Sequence, residues 1–225
     1  MRRFVRENGL SLFFLGLFLA TVVGQSFAGQ HAANAERAER GEQPLSWWSY
    51  LVSPEFGGAV LENWQSEFLQ FSLFVLATIW LVQKGSNESK ELDQVGAESD
   101  QRQQVGGHAP PNAPKAAKRG RGLVRRLYEN SLVCAMSVIF VLAWAGQSVN
   151  NWRQGNEDAL EHGGKAIGWL DYVVTADFWE RSLQNWQSEF LAVGTMAVFT
   201  IYLRQRGSPE SKPVGAPHEE TASSG

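Results

Sequence analysis

The sequence predicts an all-α membrane protein with four transmembrane helices from two parallel two-helix repeats and short interfacial helices on the outer side. Two observations predict this fold. Four runs without charged residues alternate with very polar connectors, although the chain as a whole is only 44% hydrophobic and carries a net charge of -3. The heptad NWQSEFL stands at 63–69 and again at 185–191, each time just before an apolar run.

The apolar runs are the first evidence for membrane helices. The charge-free runs are 8–35, Phe68–Gln83, Ser131–Asn151 and Phe190–Leu203. A bilayer core about 30 Å thick requires about 20 helical residues. The first and third runs are long enough alone, whereas the second and fourth need the amphipathic residues before them. The expected transmembrane helices are therefore about 9–28, 66–83, 131–150 and 188–205.

The first run has a rival explanation, a cleavable signal peptide. Arg2 and Arg3, an apolar core and small residues up to Ala28 match that pattern. A corresponding segment, Glu129–Ser148, lies deep inside the chain, where a signal peptide does not occur. We therefore predict that residues 9–28 are retained as a transmembrane helix.

The two heptads belong to a gapless duplication with an offset of 122 residues. The same offset pairs Glu7-Asn8 with Glu129-Asn130, Gly24-Gln25-Ser26 with Gly146-Gln147-Ser148, and Glu88-Ser89-Lys90 with Glu210-Ser211-Lys212. A constant register across the chain indicates two copies of one unit made of helix, outer loop, helix and tail. The predicted parts are a first repeat at 1–84, a linker at 85–122, a second repeat at 123–206 and a tail at 207–225.

Both the linker and the tail are predicted to be disordered and cytoplasmic. The linker is rich in Gln, Gly, Ser, Ala and Pro and contains no aromatic residue, so it buries too little apolar surface to fold alone. Each copy crosses the membrane twice, and the copies therefore share one orientation. Lys and Arg cluster near the N-terminus, in the linker and after the last run, which predicts that both termini face the cytoplasm.

The second helix of each copy is predicted to begin outside the membrane. Ser53-Pro54-Glu55 and Thr175-Ala176-Asp177 each give an N-cap hydroxyl followed by an acid in the first turn. One apolar stripe with three- and four-residue spacing continues through each heptad. We predict helices from about Pro54 to Gln83 and from about Ala176 to Gln205.

Most of the nine tryptophans fall in the outer segments, as expected of an aromatic belt at a membrane surface. The expected interfacial anchors are Trp47, Trp48, Trp64, Trp169, Trp179 and Trp186. The stretches Leu45–Val52 and Ile167–Val174 are predicted to be short helices along that surface. Stacking on a ligand is the alternative role of these rings, and we favour anchoring.

Two acids, Glu67 and Glu189, each precede a phenylalanine and an apolar run, so their carboxylates are expected at the membrane edge. Gln25 and Gln147 end the first and third helices on the same side, so they are expected at a similar depth. The candidate polar cluster then exists in two copies, Gln25, Gln65 and Glu67 in the first repeat and Gln147, Gln187 and Glu189 in the second. Ionisable residues inside a membrane often mark ion or proton pathways, whereas at shallow depth they cost little. We favour hydrogen bonding between helices over a pathway.

A basic patch precedes the third apolar run. It consists of Lys115, Lys118, Arg119, Arg121, Arg125 and Arg126. Anionic lipid headgroups are its expected partner, at about 1 kcal/mol per residue near the surface; nucleic acid is the alternative, which the position beside the membrane disfavours. No catalytic, cofactor or metal site is predicted, because the histidines lack ligand spacing and Cys134 is alone.

Four stretches, REN, GQS, ENWQSEFLQF and QKGSNESK, resemble an uncharacterised family of small bacterial integral membrane proteins known as a domain of unknown function. The resemblance covers nearly the whole chain outside the linker. It implies a four-helix protein of the bacterial cytoplasmic membrane and supplies neither an activity nor site residues.

The sequence favours a non-enzymatic structural or interaction component of the membrane, such as a scaffold, a partner subunit or an envelope-stress component. Its expected partners are membrane lipids and either a second copy or another membrane protein. The alternative is a small oligomeric transporter or channel that uses Glu67 and Glu189. A membrane-embedded enzyme, supported by the same two acids alone, is the third hypothesis.

Overall fold

The computed structural model describes residues 2–221, whose regular secondary structure is helical with no strand among them. The helices are α1 (Arg2–Glu7), α2 (Gly9–Glu39), α3 (Trp47–Leu51), α4 (Pro54–Trp80), α5 (Leu123–Glu129), α6 (Ser131–Glu161), α7 (Trp169–Tyr172) and α8 (Ala176–Tyr202). Two 3₁₀ turns, Leu92–Gln94 and Gly106–His108, lie in the linker. The predicted all-α class is therefore confirmed, whereas disorder of the linker and tail stays a prediction.

The four long helices come as two pairs of equal length. Helices α2 and α6 have 31 residues each, and α4 and α8 have 27 each. In both pairs the second helix begins 122 residues after the first. At about 1.5 Å per residue, α2 is longer than a hydrocarbon core of about 30 Å. Its last third is rich in the good helix formers Ala and Glu, so it includes residues that the sequence assigned to the outer loop.

Helix α2 ends in a glycine turn that α6 repeats. Gly41 has φ +74° and Gly163 has φ +75°, in the left-handed region that glycine adopts without strain. The amide of Glu42 donates to the carbonyl of Arg37 at 2.8 Å, and the amide of Gly41 donates to that of Ala38 at 3.1 Å. These two bonds satisfy carbonyls that the last helical turn leaves unpaired.

The predicted N-caps of α4 and α8 are confirmed. The hydroxyl of Ser53 accepts the amide of Phe56 at 3.2 Å, and the hydroxyl of Thr175 accepts the amide of Phe178 at 3.4 Å. Each bond satisfies one of the amides that have no partner in the first turn of a helix.

The ends of α4 and α8 differ from the prediction, since they fall at Trp80 and Tyr202 rather than at Gln83 and Gln205. The amide of Gln83 donates to the hydroxyl of Ser89 at 2.9 Å instead of to a helix carbonyl. Helix α4 is therefore followed by a turn in which the side chain of Ser89 pairs with a backbone amide.

The chain divides into two compact units, one of Met1–Leu61 with Gly146–Tyr172 and the other of Glu62–Ala145 with Val173–Gly225. In the first unit, an asparagine side chain fixes each outer loop. Asn34 donates to the carbonyl of Leu45 at 3.0 Å and accepts from its amide at 2.7 Å. Asn156 makes the same two bonds with Ile167, at 3.0 and 2.9 Å.

The short helices α3 and α7 coincide with the predicted surface helices and contact serines of the long helices in the first unit. The indole N–H of Trp47 donates to the hydroxyl of Ser26 at 3.0 Å, and that of Trp169 donates to Ser148 at 3.0 Å. Their position along a membrane surface stays a prediction.

Two helices of the described part of the chain, α2 and α6, are long and apolar enough to cross a membrane. Only 6% of the most apolar window of α2 and 17% of that of α6 are buried within the protein. Helices α4 and α8 do not reach this apolarity, because the heptad places polar residues in their middle. That α4 and α8 cross a membrane stays a prediction.

Close packing at Gly29 generates the first testable prediction. A Cβ at Gly29 would meet the hydroxyl of Tyr50, a side chain that is only 3% exposed, whereas one at Gly24 would meet nothing within 4 Å. We expect Gly29→Ala to lower the free energy of unfolding by about 1–3 kcal/mol through overpacking. Gly24→Ala, on the same helix, is the control and leaves stability unchanged or slightly raised. Thermal unfolding of both purified variants measures the difference, and equal stability would contradict this packing.

Candidate functional site

Polar side chains join three helices in the second unit. The indole N–H of Trp186 on α8 donates to Oε1 of Gln65 on α4 at 2.6 Å. The indole N–H of Trp144 on α6 donates to the hydroxyl of Ser182 on α8 at 3.0 Å. Both acceptors, Gln65 and Ser182, have an exposed fraction of 0%. The repeated heptad of α4 therefore contacts α8 through a hydrogen bond whose acceptor residue is fully buried.

An aromatic cluster surrounds these bonds. Trp144 lies 5.7 Å from Phe140, 5.5 Å from Phe178, 5.8 Å from Trp179 and 6.0 Å from Trp186, measured between ring centroids. The tilted and edge-to-face arrangements are favourable for aromatic pairs. Sequence reasoning missed Trp144, which lies inside an apolar run. Two of the predicted anchors, Trp179 and Trp186, contact this cluster, and their role at a membrane surface stays a prediction.

The structure gives the six residues of the candidate polar cluster unequal exposure. Gln65 and Gln147 are fully buried, Gln25, Glu67 and Gln187 are exposed, and Glu189 is half-buried. Within the second unit, Glu189 on α8 lies near Ser66 of α4 and interacts electrostatically with Glu67. Residues of the two repeats are thus brought together there. The arrangement supplies two carboxylates and a hydroxyl, a set that can exchange a proton.

The buried glutamines retain hydrogen-bonding capacity. Nε2 of Gln65 and both amide atoms of Gln147 are buried without a hydrogen-bond partner in the described part of the chain. Such atoms are rare in folded proteins, because each costs the free energy of its lost hydration. Gln65 and Gln147 are therefore the members of the candidate cluster whose buried amide atoms lack hydrogen-bond partners in the described part of the chain.

One member of the basic patch differs from the others. The side chain of Arg125 is only 5% exposed and forms ion pairs of 2.6 Å with Asp100 and with Glu129. A cavity of about 240 Å³ borders these groups together with Arg121 and Arg126. An anion would compete with two carboxylates for Arg125. The exposed members of the patch are Lys115, Lys118, Arg119, Arg121 and Arg126.

The first unit contains an acidic cluster that sequence reasoning missed. The pKa of Glu55 lies above its ordinary value because burial disfavours its charge and the carboxylates of Glu36 and Asp158 repel it, while Arg40 acts in the opposite direction. Arg40 is also 3.5 Å from Glu161. Glu36 and Asp158 stand at equivalent positions of the two repeats, so the repeat register was the signal that could have paired them.

The predicted anchors of the first unit differ in exposure. Trp48 is 73% exposed, whereas Trp47 stacks on Phe27 with ring centroids 5.2 Å apart and bonds to Ser26. Trp48 is therefore the better placed of the two to contact a membrane surface. Trp64 and Trp169 lie between these extremes, at 38% and 40% exposure.

The bond between Gln65 and Trp186 generates the second prediction. We expect Gln65→Ala to lower the free energy of unfolding by about 1–3 kcal/mol, because the indole N–H of Trp186 loses its acceptor. Gln187→Ala is the matched control, since Gln187 is the equivalent residue of the second repeat and is exposed. Thermal unfolding and tryptophan fluorescence of both variants test this difference. Indistinguishable variants would contradict the assigned bond.

Comparison with known proteins identifies a family and no activity. No protein of curated function and no solved structure matches the chain. The family described as a domain of unknown function (DUF6766) matches residues 1–223. The expected resemblance to an uncharacterised family is thereby confirmed, and the chain belongs to the DUF6766 family.

Proposed function

We propose that this protein is a non-enzymatic structural or interaction component of the bacterial cytoplasmic membrane. In this proposal, two parallel repeats supply four transmembrane helices, with α2, α4, α6 and α8 each crossing once. Both termini and the linker lie in the cytoplasm, and both outer loops lie on the opposite side. Membrane lipids are its partners, together with a second copy or another membrane protein.

The observation that carries this proposal is the distribution of polar and apolar side chains. Among the described residues, eight hydrophobic side chains are buried, against fourteen polar or charged ones. Large apolar side chains face outward instead, as with Leu10 at 75% and Phe13 at 60% exposure on α2. Soluble proteins bury mainly apolar side chains. Membrane helices instead pack through small and polar residues and turn their apolar side chains toward lipid.

The exposed cations of the basic patch add a second support. Arg119 and Arg126 carry positive charge beside the start of α6, where the proposed topology places anionic headgroups. Each such residue near the membrane surface contributes about 1 kcal/mol of attraction. Arg125 is excluded from this role because Asp100 and Glu129 already neutralise it.

The topology can be tested with single cysteines in a Cys134→Ser background. We expect Gln43→Cys and Lys165→Cys, at equivalent positions of the two outer loops, to react with a membrane-impermeant maleimide in intact cells. Gln101→Cys in the linker should react only after the cells are permeabilised. Labelling of the two loop cysteines from opposite sides of the membrane would refute parallel repeats.

A transporter or channel is the second candidate, and one observation favours it. Glu67 on α4 and Glu189 on α8 interact electrostatically, and Ser66 lies near Glu189. Paired carboxylates near the apolar part of membrane helices are typical of proton and cation pathways. Four helices are few for a monomeric carrier, so this function would require an oligomer.

Flux through reconstituted protein separates the two candidates. Under the structural proposal, liposomes that contain the wild type should show the proton and cation flux of empty liposomes. A Glu67→Gln/Glu189→Gln variant should behave identically. Flux above background that this variant abolishes would instead establish the transport function and overturn the structural one.

A further inference from the structure

The two repeats carry the same arginine–glutamate pair just before their first long helix. Nε of Arg3 lies 2.6 Å from Oε1 of Glu7, and Nε of Arg125 lies 2.6 Å from Oε1 of Glu129. The surroundings of the two pairs differ, because the side chain of Arg3 is 90% exposed and that of Arg125 is 5% exposed. A segment outside the repeated unit therefore encloses the second arginine.

The linker is the segment that encloses Arg125. Nη2 of Arg125 lies 2.6 Å from Oδ1 of Asp100. The linker backbone approaches the same guanidinium at Gly106, where a Cβ would meet Nη1 of Arg125 at 3.0 Å. The amide of Gly106 donates to the carbonyl of Ala117 at 2.7 Å, which closes this part of the linker into a loop. The linker and α5 thus form one folded surface around Arg125.

A cavity of about 240 Å³ lies on this surface. Its lining consists of Asp100, Arg121, Gly122, Arg125, Arg126 and Glu129. Three arginines and two carboxylates leave this lining with a net charge of +1. The cavity is small for a drug-sized ligand and sufficient for a single phosphate group. Its charge therefore favours a small anion.

The three arginines differ in how far their charge is already neutralised. Asp100 and Glu129 both pair with Arg125 at 2.6 Å, so each carboxylate has a cation in direct contact. Arg121 lies 3.8 Å from Asp100 with its side chain 87% exposed, and such an exposed pair contributes little. Arg126 forms no ion pair in the described part of the chain. Arg121 and Arg126 are therefore the groups available to an anion.

Two arginines beside one cavity match the chemistry of a phosphate group. A guanidinium is planar and can donate two parallel N–H bonds to two oxygens of one phosphate. Arg125 acts as a positioning residue, because it holds Asp100 and Glu129 at 2.6 Å. Carboxylates without that partner would compete with the phosphate for Arg121 and Arg126.

Helix α5 favours a lipid as the carrier of this phosphate. Three of its seven residues are apolar and exposed, namely Leu123 at 72%, Val124 at 48% and Leu127 at 54%. Arg126 of the same helix lines the cavity. A helix that carries both apolar and cationic side chains suits the boundary between headgroups and acyl chains. A soluble phosphate compound would leave the three apolar side chains in water.

We propose that the linker and α5 form a binding site for one anionic phospholipid, whose phosphate is bound by Arg121 and Arg126. This inference rests on the proposed function, which places the start of α6 at the cytoplasmic face of the membrane. The site differs from general attraction by the basic patch. A site binds one headgroup through defined donors, whereas a patch attracts several headgroups without preference among its cations.

Native mass spectrometry of the full-length protein tests the site, because the method resolves each bound lipid by mass. The protein is delipidated in a non-ionic detergent and titrated with a short-chain phosphatidylglycerol. Short-chain phosphatidylcholine is the zwitterionic reference. We expect the wild type to bind one phosphatidylglycerol more tightly than phosphatidylcholine, since the positive lining attracts a headgroup of net negative charge and repels a choline group.

Single substitutions separate a site from a diffuse patch. Arg121→Gln and Arg126→Gln should each weaken binding of the first phosphatidylglycerol by about tenfold, because each removes a charge-assisted hydrogen bond. Arg119→Gln is the matched control, since it removes the same charge from an exposed residue of the patch outside the cavity. It should weaken binding by less than about twofold. Circular dichroism checks that the helices of each variant persist.

Glycerol 3-phosphate separates a lipid from a soluble phosphate compound. We expect it to displace the bound lipid only at a much higher concentration than phosphatidylglycerol needs, because it has no acyl chains to cover the apolar side chains of α5. Displacement at equal concentration would assign the site to a soluble phosphate compound and overturn the lipid assignment.

Two further results would overturn the proposal. Equal weakening by Arg119→Gln and Arg126→Gln would show attraction by the whole patch rather than a site. Equal affinity of the wild type for phosphatidylglycerol and phosphatidylcholine would exclude recognition of an anionic headgroup. Neither result bears on the number or orientation of the membrane helices, which cysteine labelling of the outer loops tests separately.

Discussion

The structure depends on hydrogen bonds between the side chains of serine, glutamine and tryptophan where its helices meet. In the second unit, Ser182 accepts from Trp144, Gln65 accepts from Trp186, and Ser137 lies 3.4 Å from Ser72. Each bond is directional, so it sets the rotation of one helix against its neighbour as well as their separation. An apolar interface could not fix the rotation of helices whose outer surfaces are also apolar, because every rotation would bury similar groups.

Tryptophan is suited to this task because its ring is apolar and its single N–H needs one acceptor. Trp144 places its ring among the aromatic cluster and its N–H on Ser182. In the first unit, the indole N–H groups of Trp47 and Trp169 donate to Ser26 and Ser148. The serines of these helices therefore fix the positions of the indole rings, because each accepts the single N–H of one tryptophan.

Local signals predicted where the long helices start, whereas the repeat does not predict which residues of the two copies are buried. The starts of α4 and α8 followed from Ser53 and Thr175, since an N-cap depends on residues two or three positions away. The duplication predicted two alike polar clusters, but Gln65 is buried while its equivalent Gln187 is exposed. Identical segments have the same local conformational preferences, whereas the burial of a residue depends on which neighbour packs against each copy. Helix α2 continues to Glu39, beyond the 9–28 predicted for its membrane-spanning part, because the residues after Ala28 are rich in the good helix formers Ala and Glu.

A duplicated chain can place its two copies of one motif in different surroundings. The turns that follow α4 and α8, residues 83–90 and 205–212, are locally alike, yet Lys90 pairs with Glu98 while Lys212 is enclosed by carbonyl groups. The difference arises because the first turn leads into a linker and the second leads into a tail that can fold back. Glu88 and Glu210 meet for the same reason, since the folded tail places equivalent residues face to face. Burial and the repulsion between equal charges at equivalent positions raise the pKa of Glu88 above its ordinary value.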